Sequence, residues 1–207
     1  MGRTRKGRAI AAFKVDPALV RCVFLSAVFL AGAFAGRACA STADSDGLRS
    51  YLTDYCAALE MGDAFSLGAS AALYFGGCAV VFLLGFASLG TVLIPLVCAL
   101  YGFLTMYTVT CFAAAFGRWG VGLALAALGV RLIFTLPCFF AMADAAWPLA
   151  SQLAVLSLGR GKLAGPVQYG KRYMFLSVLC VVILCVGILC ERFLTPVCFR
   201  WALEGAV

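Results

Sequence analysis

Long apolar runs separated by short polar breaks dominate the chain. A helix crossing a ~30 Å hydrocarbon core needs ~20 apolar residues, and five runs meet that length. The first covers 20–40, VRCVFLSAVFLAGAFAGRACA. No charge occurs from Ala64 to Gly117, a stretch of ~81 Å at 1.5 Å per residue. One crossing cannot use that length, but two joined by a tight turn can. The polar, glycine-bearing SLGT at 88–91 supplies the turn, giving spans at 67–87 and 92–116. Pro95 is expected in the first turn of the latter, where its missing N–H costs little. Trp119 and Trp147 bracket a fourth span, 119–147. They lie ~42 Å apart as a helix, close to the distance between the two interfaces that tryptophan favours. The fifth span is 173–194. Backbone groups in lipid must bond within their own segment, so the expected fold is all-α: a polytopic bundle of five transmembrane helices.

Charge then orients the bundle. Residues 1–21 carry Arg3, Arg5, Lys6, Arg8, Lys14 and Arg21 against Asp16. The 148–172 segment holds Arg160, Lys162, Lys171 and Arg172 with no acid. Asp44, Asp46, Asp54, Glu60 and Asp63 face only Arg49 in 41–67. Basic segments stay on the cytoplasmic side. The N-terminus (1–19) and the 148–172 loop are therefore expected inside the cell membrane. The acidic 41–66 loop and the C-terminus are expected outside. The first run ends in ACA before Ser41, which resembles a signal-peptide cleavage site. Its apolar core exceeds 7–15 residues, so an uncleaved anchor is expected.

Composition narrows the chemistry. Of 207 residues 64% are hydrophobic and 12% charged, half the ~25% charged of soluble domains. Histidine is absent, which removes the Ser-His-Asp triad and most zinc sites. The basic residues flank apolar runs rather than forming an aromatic-laced face, so no nucleic acid partner is expected. Eleven cysteines include no CxxC pair. Cys78, Cys98, Cys111, Cys138, Cys180 and Cys185 read as small hydrophobes within spans. Cys39, Cys56 and Cys198 fall near the outer surface as reduced thiols or disulfide partners. No cofactor, metal or catalytic residue is expected.

Arg131 is the sharpest feature. It stands between the two bracketing tryptophans, near mid-membrane, where a charge costs ~3 kcal/mol or more. Pro137 follows in the same span and removes one helical hydrogen bond. Asp144 is ~20 Å from Arg131 along the axis, too far to pair, and is expected at the inner interface with no special role. Glu191, near the outer end of span five, lies within reach if Arg131 snorkels outward. Three readings of Arg131 and Glu191 compete: an interhelical clamp, a contact for another membrane protein, and an ion or proton pathway. In the outer loop, Leu48, Tyr51, Leu52, Tyr55 and Leu59 share one helical face, with Asp46 as cap. That amphipathic face covers the bundle or docks a partner. Tyr51, Asp54, Tyr55, Glu191 and Pro196 are the candidate partner-binding residues. Small residues, as in AGAFAG, fit close helix packing within the bundle; a homo-oligomer face is the alternative.

The layout resembles the stage II sporulation protein M family of five-span membrane proteins. The resemblance is carried by the basic N-terminus, VFLAGAFAG, LRSYLTDYCAALEMGD, the block from FLLGFASLG to FGRWG, RLIFTLPCFF and CERFLTPVCF. At Val130-Arg131-Leu132 the family's proline is missing. The resemblance implies a non-enzymatic scaffold at the sporulation septum. Its partners would be the lipid bilayer and two peptidoglycan hydrolases, stage II sporulation proteins D and P. A subunit of a membrane transporter built around Arg131 is the rival reading.

Overall fold

The computed structural model describes residues 17–41, 67–158 and 171–204. All the regular structure among them is helical: α1 (Pro17–Ala40), α2 (Leu67–Leu84), α3 (Gly90–Phe116), α4 (Arg118–Ser157) and α5 (Lys171–Glu204). Among the described residues four helices are long and apolar enough to cross a membrane, over Ala18–Ala40, Gly90–Ala115, Leu128–Ser157 and Tyr173–Leu194. The remaining one, α2, contributes the shorter apolar segment Ala71–Leu84.

Successive helices alternate in direction, so α1, α3 and α5 point one way and α2 and α4 the other. The α1/α3 contact shows the parallel case. A Cβ on Gly32 would strike the Ala99 carbonyl, and one on Gly36 the Phe103 carbonyl. From the other side, Gly102 lies against the Phe29 carbonyl. The AGAFAG segment is thus a close-approach seam inside the chain, of the kind small residues permit. The axis of the bundle is α4, which contacts each of the other four helices, whereas among the described residues the backbones of α1 and α5 stay apart.

Buried side chains of α1 to α5 form one cluster. It includes Leu25, Tyr74, Val81, Ile94, Phe139, Met142 and Leu184. Leu19, Phe34, Leu83, Ile133, Phe175 and Phe193 are exposed apolar residues on the outside. Such a surface suits lipid, not water.

Three boundaries differ from the sequence reading. The fourth helix does not stop at Trp147 but continues to Ser157. Pro148 removes a single hydrogen bond, and the following LASQLAVLS contains no residue that ends a helix. The helix therefore ends ten residues later than expected. Pro95 lies in the second turn of α3, because that helix already begins at Gly90. The fifth helix runs past Leu194 to Glu204, so Glu191 and Pro196 are helical positions well before its end. The turn between α2 and α3 falls at 85–89, close to the expected SLGT break. Gly117, at φ 61°, makes the tight corner between α3 and α4, a conformation glycine adopts without strain.

Candidate functional site

Polar side chains inside this apolar bundle gather in two layers. The first joins α2, α4 and α5. Arg131 Nη2 donates to Glu191 Oε1 at 2.8 Å. Glu191 is 1% exposed. The guanidinium carbon lies 5.6 Å from the centre of the Tyr74 ring, a cation–π distance. Tyr74 donates its hydroxyl to the Gly187 carbonyl at 3.1 Å. Gly187 keeps this contact close, since a Cβ there would crowd the Tyr74 and Phe134 rings. Thr135 Oγ1 donates to the Arg131 carbonyl at 2.6 Å. Arg131 Nε and Glu191 Oε2 are buried without a hydrogen-bond partner among the described residues.

Glu191 stands 18 residues from Tyr173 at the start of the α5 apolar stretch. The charge pair therefore lies about 27 Å along α5 from its Tyr173 end. Pro137 is exposed on α4, and the helix continues unbroken through it.

The second layer lies at the opposite end. Arg21 Nε of α1 donates to Asp144 Oδ1 of α4 at 2.9 Å. The two side chains are 31% and 33% exposed. Phe24 packs on Trp147 with ring centres 5.2 Å apart. Nearby, Tyr173 donates to the Phe82 carbonyl at 3.0 Å and stacks on the Phe82 ring at 5.5 Å. A cleft of about 420 Å³ opens here between α1 and α5, floored by α4. Asp144 thus has a specific partner, contrary to the expectation that it needed none. The signal was present: Arg21 begins the first apolar run, and Asp144 lies one turn before Trp147, at the same membrane boundary.

Of the other candidate residues, Tyr51, Asp54 and Tyr55, and with them the amphipathic stripe, lie outside the described residues. So does Cys56. Pro196 belongs to α5, and its side chain is outside the description. Cys39 is exposed on α1, whereas Cys78, Cys98, Cys111, Cys138 and Cys180 are buried. Cys185, grouped with those five in the sequence reading, faces outward. Among the described residues no group of His, Cys, Asp or Glu is arranged to hold a metal ion.

No protein-family model, curated protein or solved structure matches the chain. Its own residues carry the reading that follows.

Proposed function

We propose that the chain is a non-enzymatic, multi-pass membrane scaffold. The observation behind this reading is the Arg131, Glu191 and Tyr74 layer, which ties three helices together. A lone arginine in an apolar bundle is otherwise a pointer to transport or proton movement. Here its charge is spent on a neighbouring helix, and the space lined by Tyr74, Tyr101, Thr135 and Phe139 is too narrow for a water-sized sphere. This favours the scaffold over the transporter built around Arg131. Replacing Arg131 by Gln tests the choice: a scaffold loses stability, whereas a transporter loses flux at unchanged abundance.

In this reading α2 is a fifth crossing. It runs alongside α4 from the level of Arg131, where Tyr74 sits, to the level of Ala146, where Gly85 sits. Two tyrosine hydroxyls pin it to α5 at both ends. On this reading the basic N-terminus and the basic residues of 148–172 that follow α4 face the cytoplasm, and the acidic 41–66 segment and the C-terminus face outside. Cysteine labelling from the outside at Ser41 and Ser157 tests the topology, with reaction expected only at Ser41.

The resemblance to the stage II sporulation protein M family extends the proposal to partners. The outer segment with Tyr51, Asp54 and Tyr55, and the 191–196 region, would recruit peptidoglycan hydrolases to the sporulation septum. An in-frame deletion imaged with a membrane dye tests it. Arrest after polar septation, with a septum that fails to curve, is the expected result. Normal engulfment removes this partner assignment and leaves the membrane bundle.

A further inference from the structure

The cleft between α1 and α5 has features that helix packing does not require. Ala18 and Arg21 of α1, Asp144 and Gln152 of α4, and Tyr173 and Leu176 of α5 line it. Its volume of about 420 Å³ falls within the ~300–1,000 Å³ of small-ligand sites. It stands at the membrane boundary: Arg21 and Tyr173 lie in the first turn of the apolar stretches of α1 and α5. The lower wall is apolar, with Ala141, Ala145 and Leu149 as its floor.

The polar rim is left half used. Arg21 commits only Nε to Asp144. Among the described residues nothing accepts from its two Nη groups, and nothing donates to the second Asp144 oxygen. The rim thus offers a fork of cationic donors beside an anionic acceptor, above an apolar wall. A ligand that fits must carry an anion and a hydrogen-bonding cation a few ångströms apart, attached to an apolar body.

We propose that this cleft binds an aminophospholipid, with its phosphate on the Nη face of Arg21 and its primary ammonium on Asp144. Arginine binds phosphate oxygens through parallel charge-assisted hydrogen bonds. Asp144 then receives the ammonium instead of repelling the phosphate. A glycerol headgroup satisfies Arg21 but brings its negative charge against Asp144. A choline headgroup balances charge but has no N–H to donate. The acyl chains descend along the floor between α1 and α5, whose backbones stay apart among the described residues.

The test is lipid competition on the purified full chain in nanodiscs of equimolar phosphatidylethanolamine, phosphatidylglycerol and phosphatidylcholine with identical acyl chains. Lipid retained after transfer to detergent is read by native mass spectrometry. Wild-type protein is expected to retain phosphatidylethanolamine about tenfold over either competitor. Asp144→Asn removes the preference over phosphatidylglycerol, and Arg21→Gln removes retention of all three. Ala145→Leu fills the floor while keeping the ion pair, and it lowers retention even if Arg21→Gln does not fold. Equal retention of the three lipids by wild-type protein overturns the proposal. So does a preference that survives Asp144→Asn, or retention unaffected by Ala145→Leu.

Discussion

The two ion pairs share one chemistry and differ in surroundings. Arg131 and Glu191 are 13% and 1% exposed, while Arg21 and Asp144 are 31% and 33% exposed. In the first, each ion loses its water, and the partner with the Tyr74 ring must replace it. Removing one member then strands the other in a medium that cannot solvate it. In the second, both ions are about a third exposed, so solvent screens the pair and it adds little stability. The same bridge is a fastening at one end of the bundle and a rim open to ligands at the other. Distance alone does not distinguish them, since the bonds measure 2.8 and 2.9 Å.

The largest test of this contrast is Glu191→Ala, which leaves Arg131 uncompensated. A loss of about 3–5 kcal/mol is expected in reversible unfolding by denaturing detergent. An effect below ~1 kcal/mol would place the buried pair in the same class as the exposed one. The double change Arg131→Met with Glu191→Leu sharpens the point. It should recover most of that loss, or exceed the parent, because no charge then remains to be solvated. Tyr74→Phe is expected to cost about 0.6–1.5 kcal/mol through its hydrogen bond to Gly187. Asp144→Asn should be smallest, below ~1 kcal/mol, and should shrink further as salt rises. Salt sensitivity at the buried pair would break the comparison.

Sequence reading recovered what depends on apolar length. The all-helical class and the turn near 88–91 follow from how many residues a bilayer accommodates. Four apolar crossing-length helices are present, and the fifth expected run is the shorter helix α2. Pairing was harder to read. Arg131 and Glu191 were seen as mutually reachable, and they pair at 2.8 Å. Arg21 and Asp144 escaped notice because each looked ordinary at an interface. Their meeting depends on α1 lying against α4, which no local pattern specifies. The roles of Tyr74 and Tyr173 likewise require knowing that α2 lies beside α5.

The parallel glycine seam between α1 and α3 also bears on how the molecule is made. Gly32 emerges from the ribosome 67 residues before Ala99, its contact on α3. At ~5–20 residues per second, this leaves an interval of roughly 3–13 s. During that interval the first helix is inserted but its grooved face has no mate, and lipid must occupy it. Closing the seam is therefore a lateral step: α3 must enter the bilayer and displace that lipid before the two helices can meet.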